Sequence, residues 1–268
     1  MSKLPKDNRF VDVSDYSRSL ARIVVQLLLK TPVSSIHITV AFFVAGLFSI
    51  YFIYLESYLW GALFLMIKNI LDAADGEMAR ARKHPTHTGR YLDSIFDFLI
   101  NLGLFYCLYV ITEASFLLFI ASFFCLEFQG TQFNYYYLVQ RKLCRGEMTS
   151  KINEFEKPVA FDYENPQGVR VLHLGYLACY GLFDAIMLRL DKSALGERPL
   201  PHWFMTLVST MGLGFQILLI VLFLLAGRVE SILPFFLFYT LWSLVIILIR
   251  KRLVNISGTR STTTPHKT

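Results

Sequence analysis

Asp72-Ala-Ala-Asp75-Gly76-Glu77-Met78-Ala79-Arg80, followed after eight residues by Gly89-Arg-Tyr-Leu-Asp93-Ser-Ile-Phe-Asp97, sets four aspartates inside or against strongly apolar runs. At 100° per residue, Asp72, Asp75, Gly76, Ala79 and Arg80 fall within an arc of roughly 140°, so they share one helix face. Asp93 and Asp97 lie one turn apart on a following helix, with Gly89 one turn before them. Two helices joined by the short polar loop Ala81 to Thr88 pack side by side and bring both carboxylate pairs over one small volume. An aspartate at the centre of a membrane helix costs about 2.5–3.5 kcal/mol, so four unpaired ones would cost on the order of 10 kcal/mol, less near the interface. Arg80 offsets one charge at most. Hard cations such as Mg²⁺ or Mn²⁺ take carboxylate oxygens and keep positions open for phosphates, and without nearby cysteines the set does not suit zinc. A solvated acidic cluster that only caps two helix ends would need one aspartate, not four at helical spacing on two elements.

The pattern Asp72-x2-Asp75-Gly76-x2-Ala79-Arg80-x8-Gly89-x3-Asp93-x3-Asp97 resembles, at each of its eight fixed positions, the signature of the CDP-alcohol phosphotransferase (CDP-alcohol phosphatidyltransferase) family. The resemblance is clear from about Ser34 to Thr112. It implies an integral membrane enzyme that moves a phospho-alcohol, commonly phosphatidyl, from a CDP-linked donor to an acceptor hydroxyl and releases CMP. Asp72, Asp75, Asp93 and Asp97 would then hold Mg²⁺ or Mn²⁺, expected as two ions, and Asp97 would be the general base. Asp72, Gly76, Ala79, Arg80 and Gly89 would meet the CDP and its phosphates. One departure is visible: where many members carry Pro-Asn before the first span, this chain has Ser35-Ile36, with Thr39 retained. The rival readings are an intramembrane prenyltransferase, whose two Asp-rich motifs lie far apart in sequence, and a cation transporter, which predicts matching discontinuous helices in two halves.

The 268 residues are 54% hydrophobic and 15% aromatic, in long runs that predict an all-α polytopic membrane bundle. One domain over 1–254 suffices, with a Ser/Thr-rich tail at 255–268 expected to be disordered. Basic residues through Lys30 and no clean apolar segment with a cleavage site predict that no secretory signal precedes the first span. The net charge of +6 brackets the apolar runs as the positive-inside rule expects, so nucleic acid is not a partner. Cys107, Cys125, Cys144 and Cys179 have no metal spacing and read as packing residues. His84 and His87 belong to a polar turn interrupted by Pro85.

Val13 to Lys30 reads as an amphipathic surface helix, with Tyr16, Leu20, Ile23, Val24, Leu27 and Leu28 opposite Arg18, Arg22, Gln26 and Lys30. Spans follow at about 36–55, from 58 through the motif, from near 89 to 111, and from near 115. Asn101 extends the aspartate stripe. Glu127, Thr131 and Asn134 form one polar face that points at the cavity or at a neighbouring helix. Residues 171–190 are expected to lie in the interface. Final spans at 203–226 and 232–249 then give six crossings, cytoplasmic termini and a cytoplasmic motif. Arg90, Arg141, Lys142 and Arg145 would suit a phosphorylated acceptor, although topology alone also puts them there. Expected partners are a CDP-linked lipid donor, a small alcohol or lipid acceptor and membrane lipids; a homodimer is compatible with such a bundle.

Overall fold

A computed structural model describes residues 4–146, 151–195 and 199–261. Among them are nine α-helices: α1 (Arg18–Leu28), α2 (Ser35–Tyr54), α3 (Tyr58–Ala81), α4 (His87–Ile111), α5 (Phe116–Leu143), α6 (Pro166–Leu190), α7 (His202–Val208), α8 (Leu213–Leu225) and α9 (Ile232–Ser261). No strand occurs among these residues. Each expected helix has a counterpart, but the span expected at 203–226 is broken into α7 and α8, and the last helix runs beyond 249 to Ser261.

Local chemistry explains where they begin and end. Ser34, Thr86, Ser115 and Asn165 each cap a helix by accepting a backbone N–H of the first turn. The tight turns after α2 and α4 place Glu56 (φ 56°) and Glu113 (φ 49°) in the left-handed region. There the Ser57 N–H reaches the Phe52 carbonyl at 2.9 Å and the Ala114 N–H the Tyr109 carbonyl at 3.3 Å, satisfying carbonyls that a helix end otherwise leaves open.

α2, α4, α5, α6 and the stretch Val229–Leu253 that contains most of α9 are each long and apolar enough to cross a membrane. α7 and α8 form a sixth candidate, bent by 51° at a break. α3 is equally long but carries Lys68, Asp72 and Asp75, so its composition fails where its packing does not: it lies along α2. Gly46 and Gly61 permit this closeness, since a Cβ at Gly46 would press on Ile100 of α4 and one at Gly61 on Ile53 of α2. Bulky residues on the outward faces, such as Leu47, Tyr106, Leu117, Leu222 and Leu241, are about half exposed or more and form the lipid-facing surface.

α5 and α9 run parallel and are pinned by polar side chains inside an apolar interface. Ser122 donates to the Leu233 carbonyl at 2.7 Å, Gln129 to the Phe236 carbonyl at 2.9 Å and Gln132 to the Ser243 carbonyl at 3.0 Å. Without water, each such group must find a partner within the bundle.

α6 is apolar enough to span, yet both of its ends pack on the same side as the aspartate motif. Val169 and His173 in its first turns meet Tyr91 near the start of α4. Beyond its last turn, Asp191 accepts hydrogen bonds from Tyr136 at 2.8 Å and, through its carbonyl, from Tyr135 at 2.9 Å, in the last third of α5. Asp191 also pairs with Arg250 at 2.9 Å, both fully buried, so Arg250 is a structural cation and not part of an exposed basic cluster.

α1 packs against α3 through Ala21 and Val25, with Arg18 and Arg22 3.7 and 3.9 Å from Glu77 of α3, and leaves Leu20, Ile23 and Leu27 exposed. The helix of α9 continues past Asn255 to Ser261. Residues 262–268 lie outside the described residues.

The segment before α1 enters the break between α7 and α8. The Val13 N–H donates to Ser209 at 3.1 Å, and a Cβ at Gly214 would collide with the Ser14 carbonyl. Only glycine admits the backbone this closely.

Candidate functional site

A cavity of about 830 Å³ opens among α2 to α6 and α8. All eight fixed residues of the motif line it: Asp72, Asp75, Gly76, Ala79, Arg80, Gly89, Asp93 and Asp97. Asn101, Glu127 and Asn134 line it as well. The α3–α4 hairpin gathers them as the helical spacing requires.

Carboxylate oxygens of Asp72, Asp75 and Asp93 all lie within 4.8 Å of one another. Asp75 accepts a 2.7 Å hydrogen bond from Thr39 of α2. The buried Asp93 Oδ1 has no hydrogen-bond partner among the described residues. An orphaned carboxylate oxygen facing two others is expensive unless a cation completes it, and oxygen-only donors fit Mg²⁺ or Mn²⁺. The three residues thus fit the expected ion.

Asp97 stands apart from this trio. It is bound to Lys68 Nζ, which also reaches Asp72 at 3.2 Å. Lys68 is completely buried. Its stem is covered by α2, with Phe42 5.0 Å below the ammonium. One lysine therefore offsets part of the charge that the sequence leaves open. Its signal was present: Lys68 and Asp72 are spaced i, i+4, the pairing distance on a helix.

At the cavity mouth, the Arg80 guanidinium lies over Gly76, whose missing Cβ would sit 3.5 Å from it. Arg80 contacts Glu77 at 3.5 Å, and its Nε has no hydrogen-bond partner among the described residues. The N-terminus of α4 opens beside it: Thr86 caps by accepting the Gly89 N–H at 3.0 Å, and a Cβ at Gly89 would press on that hydroxyl. The arginine favours an anion at this mouth, while the first N–H groups of α4 are already taken by Thr86 and Glu164.

The connector after α5 folds back over this mouth. Tyr163 donates to the Pro85 carbonyl, and its ring lies 4.1 Å from that of His84, while Phe161 stacks on His87 at 4.9 Å. The two histidines are thus turn residues held by aromatic contacts. Partial burial opposes charge on Glu164, yet N–H bonds from Thr88, His87 and Phe161 hold its carboxyl below the usual range. At the opposite wall, burial pushes the Asp15 carboxyl up to about 6 despite its 2.8 Å contact with Arg18.

The far wall holds residues that the sequence did not point to the cavity. Tyr176, Tyr180 and Asp184, at i, i+4 and i+8 on α6, line it, and Tyr176 donates to Asp184 at 3.0 Å. Asn101 donates to Glu127 at 2.9 Å, so this pair is both a helix–helix bond and part of the cavity wall. Arg141 is buried beside Tyr137 and does not line the cavity, nor do Lys142 and Arg145.

Five to six apolar helices around a polar, carboxylate-lined cavity fit an integral membrane protein. The model of the CDP-alcohol phosphatidyltransferase family matches residues 34–159, which carry the whole motif. The family implies CDP-alcohol phosphotransferase activity in phospholipid synthesis, with a CDP-alcohol donor, an alcohol acceptor and general dependence on a divalent metal. No curated protein matches the chain.

Proposed function

We propose that the protein transfers a phosphatidyl group from CDP-diacylglycerol to an acceptor alcohol and releases CMP, with Mg²⁺ or Mn²⁺ held by Asp72, Asp75 and Asp93. The observation that carries this reading is the trio of carboxylates, with its orphaned Asp93 oxygen, beside Arg80 in one cavity. When bound, the ion neutralises pyrophosphate charge and stabilises the leaving group. Arg80 holds a phosphate by charge-assisted hydrogen bonds, Gly76 and Ala79 leave room for the nucleotide along α3, and Gly89 leaves room beside the capped start of α4. Asp97, oriented by Lys68, takes the acceptor's proton as the acceptor oxygen bonds to the β-phosphorus. The bridging P–O bond breaks and CMP departs with the electron pair. Grouping of all the motif residues in one hairpin and one cavity favours this reading over the prenyltransferase and the transporter.

Purified protein given CDP-diacylglycerol, an acceptor and Mg²⁺ or Mn²⁺ is expected to release CMP, and excess EDTA to abolish release until metal is restored. Full turnover in EDTA would refute the metal site; absence of CMP under all these conditions would refute the transferase.

The motif faces the cytoplasm in this reading. Helix directions put the α2–α3, α4–α5 and α8–α9 turns on the opposite side, where Arg228 is the lone basic residue among Glu56, Glu113 and Glu230. α3 crosses and α6 does not, because both ends of α6 pack on the motif side. Cysteines placed at Lys192 and at Lys83 should both be labelled from the cytoplasmic side, and one at Arg228 from outside. Outward labelling at Lys192 would show that α6 crosses.

A further inference from the structure

Beyond Asp97 the cavity is lined by α4, α5 and α6, and outside the Arg90–Glu154 pair the ionisable side chains of this lobe are acidic. Glu127 and Asp184 line it, and neither makes an ion pair among the described residues. The cavity's cations are Arg80, Lys83 and Arg90. Arg80 and Lys83 stand at the far end of α3, beside the nucleotide subsite. Arg90 is gripped by both carboxylate oxygens of Glu154, the second at 3.0 Å, so its charge is already spent within the protein. An independent sign of a ligand is Thr131. It is 4% exposed and lines the cavity, and its Oγ1 has no partner among the described residues. Buried hydroxyls are nearly always partnered, so an orphan here marks where a ligand's hydrogen-bonding group completes the wall.

We propose that this lobe binds the acceptor, and that the acceptor is a small, unphosphorylated alcohol recognised through the hydrogen-bond donors it offers, hydroxyl or amino. This rests on the transferase reading above and names its second substrate by class. A phosphate ester would bring about two negative charges to a wall whose acidic side chains offer it no compensation and whose nearest cation among the described residues, Arg90, is already paired with Glu154, so its desolvation would go unmet. A polyol or amino alcohol donates to those same carboxylates and to the Asn101 and Thr131 oxygens, with its reacting hydroxyl at Asp97. Of the basic residues that would suit a phosphorylated acceptor, Arg141, Lys142 and Arg145 do not line the cavity, and Arg90, which does, is paired with Glu154.

The test uses the full chain in lipid nanodiscs with CDP-diacylglycerol and Mn²⁺, reading CMP. Glycerol, inositol, serine and ethanolamine are compared with glycerol 3-phosphate and inositol phosphate. At least one unphosphorylated acceptor should exceed its phosphate ester more than tenfold in kcat/KM. Preference for the esters, turnover with none of the unphosphorylated acceptors, or turnover only with a lipid alcohol and a soluble CDP-amino-alcohol would overturn the proposal. Calorimetric donor binding is run alongside: if metal-dependent binding of the CDP-donor is absent, the transferase reading itself fails, whereas binding with the wrong acceptor preference defeats only the lobe's assignment. Thr131→Val separates binding from structure. Removing a hydroxyl that has no protein partner should leave the unfolding midpoint unchanged or higher, yet raise the acceptor KM about 3- to 10-fold with the donor KM unaltered. An unchanged acceptor KM would show that Thr131 does not meet the acceptor.

Discussion

Replacing Asp97 with asparagine should lower turnover by roughly 10²-fold or more while leaving affinity for the CDP-donor within a few-fold of the wild type. Asparagine keeps the size of the side chain and an oxygen to accept from Lys68, but it cannot take a proton from the attacking hydroxyl at neutral pH. Asp97 lies outside the carboxylate trio and is tied to an ammonium instead, so its loss should spare the ion and the nucleotide it helps to hold. Asp72→Asn should differ in kind. Asp72 belongs to the trio and also contacts Lys68, so donor binding should fall together with rate. Calorimetric donor binding beside steady-state rates for the two variants decides the matter: equal loss of donor binding would make Asp97 chiefly a metal ligand.

The second large effect concerns Lys68. Its ammonium is buried between Asp72 and Asp97, and truncation to methionine keeps the stem against Phe42 while removing the charge. Breaking a buried pair by deleting one partner typically costs about 3–5 kcal/mol, because the remaining charge is left uncompensated. Lys68→Met should therefore be destabilised by about that much in EDTA and recover part of the loss in saturating Mn²⁺, since a divalent ion supplies charge to the same carboxylates. Thermal unfolding of both proteins with and without metal provides the measurement. Equal midpoints in EDTA would show that the pair carries little of the fold's stability. The same mutation should slow catalysis, as Asp97 would lose the contact that orients it.

These residues also show how far a linear reading reaches. The hairpin of α3 and α4 was legible because helical spacing alone places Asp72, Asp75, Gly76, Ala79 and Arg80 on one face and Asp93 and Asp97 on another, and nothing in tertiary packing overrides a periodicity so strict. Several helix starts were legible to within a few residues, though not the caps that fix them. What escaped was whatever depends on a partner distant in sequence. Arg250 and Asp191 are 59 positions apart and read separately as a terminal basic cluster and a polar residue after a helix; only the fold makes them a buried pair. Tyr176, Tyr180 and Asp184 form a visible stripe, but a stripe does not say what it faces. Composition likewise undervalued α3, since a helix that carries a membrane protein's chemistry loses apolarity in proportion to the charge it must bear.

The wedge at Gly214 has a consequence for assembly. The Val13 amide is made 196 residues before Ser209, its partner. Translation and insertion run from one end of the chain to the other, so the stretch carrying Ser14, Asp15 and Ser17 emerges early and finds nothing to dock against until α7 and α8 have entered the membrane. These three residues form part of the cavity wall. The carboxylate hairpin is therefore complete long before its enclosure is, and the last wall to close is built from the part of the protein that was synthesised first.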